Sequence, residues 1–310
     1  MLAFSCGATA GDQRVVIISV DGLRPDVITP EVAPRMTDLR EQGTSASNAV
    51  NDLPSATLPN HATMLTGLLS GQHQVILNFV LPATIGVPTV FDRAHQAGLR
   101  SAFFASKTKL LHLAPTEAIE TIDIDADTTG LVERMLEQLT FDGPELIFLH
   151  LRDPDSTGHR YGWLSPQYLA AVTLADSLIG KVVDALDAEP DRSSYLILTA
   201  DHGGDGINHF INIPANRSIP WIVWGPDIAA GRVIDEVVST ADTMPTALWL
   251  LNLEIPAGLA GVPRSSIRES NAADAQESGQ APRPVGLPCV ILIIPALLVL
   301  AVFLRPMRAR

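Results

Sequence analysis

Residues 14–21 read RVVIISVD, a nearly unbroken apolar run closed by an aspartate. A strand with one wet face alternates apolar and polar side chains. This one does not, so it reads as a strand buried on both faces. Three more stretches have the same form: SAFFAS at 101–106, ELIFLHL at 145–151 and YLILTAD at 195–201. Among them lie segments with apolar residues at helical spacing, at 128–139 (TTGLVERMLEQL), 166–186 and 243–253. Buried strands alternating with amphipathic helices predict an α/β domain with a mostly parallel central sheet and helices on both faces. In such sheets ligands collect beyond the carboxyl ends of the strands. That rule singles out Asp21, Asp153, Asp155, Asp201 and His202.

The chain around these strands has 310 residues, with 21 basic against 34 acidic side chains and a formal net charge of −13. A nucleic-acid binder needs a basic face to displace counterions, so no nucleic-acid binding is expected. A hydrophobic content of 46% excludes a disordered chain, and two cysteines, Cys6 and Cys289, cannot build a disulfide framework. The mean hydropathy of +0.22 is high for an acidic protein. It traces to residues 285–304, twenty residues without a charge, followed by Arg305, Arg308 and Arg310. That length suits a hydrocarbon core of about 30 Å, so a C-terminal transmembrane helix is expected. The positive-inside rule then makes 305–310 a basic cytoplasmic tail. The expected location is the cell membrane, single-pass, with the catalytic domain extracytoplasmic. Residues 264–284, rich in Ser, Ala, Gln and Pro, read as a flexible linker, leaving 11–263 as one globular domain. The linker is neutral and the tail arginines carry +3, so residues 1–263 carry −16. The opening MLAFSC has neither a basic region nor a long apolar one. Either the start is truncated or internal, or Cys6 is the remnant of a lipid-attachment site. Oligomeric state is not legible.

The strand endings carry the chemistry. Asp21 closes the first run, Asp155 and His159 lie in RDPDSTGH, and Asp201, His202 and His209 lie in ADHGGDGINH. Carboxylate oxygens and imidazole nitrogens suit a divalent first-row metal such as zinc or manganese. Six such ligands exceed one tetrahedral site and fit two. Gly203, Gly204 and Gly206 let the chain fold back so that His209 reaches the site. In residues 54–67, PSATLPNHATMLTG, Thr57 precedes a helix expected over 59–65. A hydroxyl there faces the positive end of the helix dipole, where a phosphate also prefers to sit.

Taken in order, Asp21-Gly, Thr57-Leu-Pro-Asn-His, Pro154-Asp155-x-x-Gly-His159 and Asp201-His202-Gly resemble the alkaline phosphatase superfamily. The branch they most resemble is the type I phosphodiesterase/nucleotide pyrophosphatase group. The resemblance implies an alkaline phosphatase-like fold, a phosphate ester substrate and two divalent ions about 4 Å apart, for which zinc is the expected metal and manganese the alternative. It implies that Asp21, Asp201 and His202 bind the metal that holds the nucleophile Thr57, and that Asp155, His159 and His209 bind the second. Asn78 matches an asparagine that donates to a phosphoryl oxygen. Thr57 would attack phosphorus in line and form a phospho-threonine that water then hydrolyses. Lys107 and Lys109 resemble a lysine pair that contacts substrate anions in phosphonoacetate-hydrolase relatives, with a solvated surface as the competing reading.

The chain also departs from that pattern. Seven residues separate His202 from His209, where nucleotide pyrophosphatases carry an insertion, so nucleotide specificity does not transfer. The usual His-Gly after the nucleophile helix is His73-Gln74. A sulfatase reading fails because Thr57-Leu-Pro-Asn offers neither the Cys or Ser nor the arginine of that branch. His61 reads as support for the nucleophile turn, His150 as core or support for a ligand, and His95 and His112 as structural. The expected function is a two-metal phosphodiesterase. A phosphomonoesterase, a phosphonate hydrolase, a membrane phosphoryl-alcohol transferase and a non-catalytic binding module stand as alternatives.

Overall fold

The computed structural model describes residues 13–268, and within them strand β1 (Gln13–Val20) is buried along its whole length. Successive side chains of a strand point to opposite faces, so full burial requires cover on both. Seven further strands complete the sheet: β2 (Thr44–Ala46), β3 (Ser101–Ala105), β4 (Thr121–Ile124), β5 (Leu146–Leu151), β6 (Ser193–Thr199), β7 (Trp221–Trp224) and β8 (Arg232–Ile234). Their order is β8-β2-β7-β6-β1-β5-β3-β4. Only β7 runs against its neighbours, pairing antiparallel with both β6 and β2. A second small sheet joins Ala49–Val50, Ser218–Ile219 and Val238–Ser239.

Among the described residues seven helices of seven or more residues follow in chain order: α1 (Pro34–Gln42), α2 (Thr57–Thr66), α3 (Val90–Gln96), α4 (Thr128–Leu136), α5 (Asp153–Tyr161), α6 (Pro166–Asp187) and α7 (Thr243–Leu250). The long α6 packs with α1, α4 and α5, while α7 packs with α2 and α3. Helix α6 starts cleanly because the Ser165 hydroxyl accepts from the Tyr168 amide and Pro166 occupies the first turn. Its Asp176 then caps α1 from a distance, accepting from the Arg35 and Met36 amides at 3.1 and 2.8 Å. Helix α1 needs that help, since its own N-cap is Ala33.

Register brings the loops after four parallel strands to one edge. Val20 lies opposite Leu151, Ser19 opposite Thr199, and Ala105 opposite His150. The residues that follow these positions, from Asp21, Ser106, Arg152 and Ala200 onward, therefore emerge side by side, as the expected architecture requires.

One expectation of the fold class is corrected. Among the described residues no helix is long and apolar enough to cross a membrane. The transmembrane helix expected at 285–304, with its membrane partner, is thus without support, and the segment lies outside the described residues, as do most of the linker and the basic tail. What stands is the α/β fold alone.

Candidate functional site

The turn after β1 sets the position of everything else. Gly22 has φ +71°, and a Cβ there would sit 2.9 Å from the Asp155 Cα, so only glycine lets the start of α5 approach. The Asp155 amide donates to the Asp21 carbonyl at 3.0 Å, locking the two loops together. The Gly22 carbonyl accepts from both Trp163 Nε1 and the Tyr168 hydroxyl, each at 2.9 Å. The Trp163 ring also fills the space beside Gly158 and Gly204. One buried indole therefore ties together the loops that follow β1, β5 and β6.

Asp21, Asp155, Asp201, His202 and His209 converge above this turn, all buried. Their ligand atoms form two tight groups, Asp21-Asp201-His202 and Asp155-His202-His209, each with its atoms within 4.8 Å of one another. His202 belongs to both. Its Nε2 lies 3.3 Å from Asp201 Oδ2, 3.5 Å from Asp21 Oδ1 and 4.0 Å from Asp155 Oδ1. The His209 ring stacks on that of His202 with centroids 3.6 Å apart. His159 is exposed on the rim, its Nε2 3.3 Å from Asp155 Oδ1. Asp153, His95 and His112 belong to neither group.

The histidine tautomers follow from their partners, because a carbonyl oxygen can only accept. Nδ1–H donates to Gly203 from His202 (2.8 Å), to Ser55 from His209 (2.7 Å) and to Ile207 from His159 (2.9 Å). All three thus turn an Nε2 lone pair toward the carboxylates, the arrangement of metal-ligating histidines. His202 Nε2, Asp21 Oδ1, Asp155 Oδ1 and Asp201 Oδ2 are buried without a hydrogen-bond partner among the described residues. Buried polar atoms are seldom left so. Four of them facing one another, three on carboxylates, fit a site for positive charge.

Part of that charge comes from Lys107. Its ammonium lies 2.6 Å from Asp21 Oδ2, 2.5 Å from Asp155 Oδ2 and 3.5 Å from Thr57 Oγ1, and its side chain is 12% exposed. The solvated-surface reading of Lys107 is thereby excluded. Burial opposes its charge, but the three aspartates outweigh burial and raise its pKa above the usual lysine range. Burial also opposes ionisation of the aspartates. Lys107 and the His150 hydrogen bond hold Asp21 well below the normal carboxylate range, and Lys107 holds Asp155 at about 2 against both burial and Asp21. Asp201 lacks the lysine contact, and burial beside Asp21 pushes it up to about 7. One ammonium does not balance three carboxylates.

Thr57 is the first residue of α2 and is buried beside this cluster. His61, one turn on, donates Nδ1–H to the Thr57 carbonyl at 2.8 Å and accepts at Nε2 from the Ser19 hydroxyl at 2.9 Å. His150, inside β5, donates Nε2–H to Asp21 Oδ2 at 2.9 Å. Its Nδ1 accepts from the Ser106 amide at 3.4 Å. Burial keeps both imidazoles neutral by lowering their pKa values. Asn78 accepts at Oδ1 from the Leu58 amide (3.0 Å) and from Lys109 Nζ (3.1 Å). The ten residues expected as nucleophile, metal ligands and substrate contacts, Asp21, Thr57, Asn78, Lys107, Lys109, Asp155, His159, Asp201, His202 and His209, are therefore within this one region, and His95 and His112 are not. The sequence reading missed Ser106 and Trp163. No periodicity or motif marks either, although Trp163 falls just after the Gly158-His159 pair it packs against.

A family model described as type I phosphodiesterase / nucleotide pyrophosphatase matches residues 15–116 and 112–224. Venom phosphodiesterase 2 of Crotalus adamanteus is 28% identical over 232 residues, covering 66% of this chain and 28% of that protein. The chain thus spans little more than a quarter of that relative. Among solved structures, human ectonucleotide pyrophosphatase/phosphodiesterase 5 superposes with a TM-score of 0.70 at 16% identity, covering 83% of this chain and 100% of that one. Phosphonate monoester hydrolase from Silicibacter pomeroyi does so at 0.66 and 17%, covering 84% and 78%. At these identities the two superpositions concern the fold.

Proposed function

Because the chain belongs to the type I phosphodiesterase/nucleotide pyrophosphatase family, we propose that it is a metal-dependent phosphodiesterase acting through a covalent phospho-threonine at Thr57. The observation that carries this reading is the set of four unpartnered buried atoms on Asp21, Asp155, Asp201 and His202, beside the Thr57 hydroxyl. In this proposal Asp21, Asp201 and His202 would hold one divalent ion, and Asp155, His159 and His209 a second. Zinc or manganese suits such oxygen and nitrogen donors. When bound, the ions would supply positive charge that stabilises phosphoryl oxygens and acidifies a nearby hydroxyl.

The chain's own groups do the rest. The Thr57 oxygen, at the positive end of α2, gives up its proton to solvent and bonds to phosphorus as the ester oxygen on the far side departs with its electron pair and takes a proton from solvent. The His61 bond to the Thr57 carbonyl fixes the first turn of α2, so the hydroxyl is presented in one orientation. Asn78, held by the Leu58 amide, turns its NH2 to a phosphoryl oxygen, and Lys107 offsets charge near Thr57. A water oxygen then bonds to phosphorus and the Thr57 oxygen leaves, restoring the hydroxyl and releasing a monoester.

The full chain loaded with zinc or manganese should hydrolyse bis(4-nitrophenyl) phosphate in preference to 4-nitrophenyl phosphate, and lose activity with chelator. A monoester preference would move the assignment to a phosphomonoesterase. Thr57→Ala should lower kcat by roughly 10³-fold or more while metal content, read by elemental analysis, is retained. An active Thr57→Ala protein removes the nucleophile from the mechanism.

A further inference from the structure

Residues 74–91, QVILNFVLPATIGVPTVF, contain no acidic, basic or histidine side chain, in a chain with 18% charged residues. Their backbone forms neither helix nor strand from Gln74 to Thr89. A second irregular stretch, 206–213 (GINHFINI), carries His209 alone of these residue types. Ile76, Phe79 and Val80 on the first loop and Ile207, Phe210 and Ile211 on the second are each 59% to 65% exposed. Single exposed apolar side chains are ordinary. Six gathered on two uncharged loops call for something to cover them.

The fold pins both loops to the turn that carries Thr57. Asn78, just before Phe79, accepts from the Leu58 amide at 3.0 Å. His209, just before Phe210, donates to the Ser55 carbonyl at 2.7 Å, and the Phe210 ring lies 4.3 Å from the His209 ring. A third element joins them. The Trp163 amide donates to the Gly206 carbonyl at 2.7 Å, which brings the end of α5 beside the second loop. There Tyr161 is exposed, with the Arg160 guanidinium 5.0 Å from its ring centre. The apolar tips thus frame the mouth of the site, bordered by one aromatic ring and one cation.

We propose that the tips of these loops, 76–80 and 207–211, dock the mouth of the site on the surface of an uncharged lipid bilayer. This docking involves no residue beyond 268 and holds whatever reaction the site performs. Charge selects the partner. A protein interface surrounds its apolar core with a polar rim and direct hydrogen bonds. These loops supply no charged group to such a rim, and their one histidine is buried in the site. Apolar tips without charge suit the boundary between headgroups and acyl chains, at a depth of about 5–10 Å. Irregular backbone stops them there, because unpaired amides do not enter hydrocarbon. Tyr161 and Arg160 add what that boundary favours, an amphipathic ring with a cation at headgroup level. The formal net charge of −13 opposes an anionic surface and favours zwitterionic lipid such as phosphatidylcholine.

Hydrogen exchange on the full, unaltered chain reads the contact directly. Saturating phosphatidylcholine vesicles should slow amide exchange in 76–80 and 207–211 about 10-fold or more, the factor that burying one phenyl ring supplies. Exchange in 140–144 should not change. Phe141 is also exposed, but its carbonyl accepts from Arg192 just before β6, at the opposite edge of the sheet. Tryptophan probes give a second readout. Phe79→Trp and Phe210→Trp should lose emission to phosphatidylcholine brominated on its acyl chains, and Phe141→Trp should keep it. Replacing part of the lipid with phosphatidylglycerol should weaken both effects. Unchanged exchange in the two loops, or equal quenching at Phe141→Trp, overturns the proposal. Exchange slowed as much by raising protein concentration without lipid also overturns it, and assigns the face to a contact between two copies. Neither readout needs turnover, so the lipid contact and the phosphodiesterase reading fail separately.

Discussion

Asn78 and Lys107 show how much a single side chain depends on neighbours the sequence does not display. Asn78 sits in an irregular segment, and only the Leu58 amide and Lys109, both on its Oδ1, fix which way its carboxamide points. Asn78→Ala should therefore lower kcat/KM about 10²-fold, the usual loss for one well-aimed donor to a developing anion. Steady-state kinetics at constant metal content would show it, and an undiminished kcat/KM would exclude the contact. Lys107 looks like a surface lysine in SKTKLL, and its burial arises only because β3 ends beside β5. His73 makes the same point for pH. Its Nε2–H meets the Thr63 hydroxyl at 3.0 Å and its Nδ1 accepts from the Val75 amide at 3.0 Å, so a second proton would break the latter bond. Burial lowers its pKa from 6.5 to about 4. Below pH 6.5 the unfolded chain takes up a proton that the folded chain refuses. Stability should thus be full above that pH and fall as the pH drops toward 4. The His73 share is roughly 1–2 kcal/mol once solvent screening is allowed for. Urea midpoints against pH should flatten by that amount in His73→Gln.

At the scale of elements, the turn after Ser70–His73 carries a visible cost. Gln74 has φ +61°, a left-handed conformation that favours glycine, at the very position where the sequence pattern departs from His-Gly. Gln74→Gly should raise stability by about 1 kcal/mol without moving the site. An unchanged or lower urea midpoint would show that the Gln74 amide bond to Gly71 matters more. Trp163→Ala should act in the opposite direction, losing roughly 3–5 kcal/mol together with metal uptake, because three loops lean on that ring. The elements that carry the site were legible, since β1, β3, β5 and β6 are apolar runs long enough to stand out within the sequence. Boundaries moved by one to three residues: the helix expected at 59–65 spans Thr57–Thr66, and that at 128–139 ends at Leu136. Strands β2, β7 and β8 were not legible. Each has four residues or fewer, and its burial comes from neighbours, so no period has room to form. The link through Trp163 escaped for a similar reason, because a contact among Gly22, Gly158 and Gly204 exists only after folding.

The whole molecule adds a constraint that no single element contains. Residues 1–263 carry −16, and at the end of the sheet Asp21 and Asp155 share one ammonium while Asp201 lies beside them without it. Metal ions that bind only the folded chain should relieve this crowding. At a hundred times the dissociation constant they would add about 2.7 kcal/mol of stability. Urea unfolding with and without chelator should differ by that amount, and identical midpoints would argue against metal sites in the folded domain. The strand order has a consequence in time as well. Strand β1 sits between β5 and β6, yet it ends at Val20 while β6 ends at Thr199. At synthesis rates of about 5–20 residues per second, the β5 edge of this wholly buried strand waits roughly 7 to 26 seconds for its partner and the β6 edge roughly 9 to 36 seconds. Until Thr199 has emerged, a ribosome-bound chain of this protein exposes an unpaired edge of β1, the kind of surface that chaperones cover. It gains a complete site only after His209 has emerged.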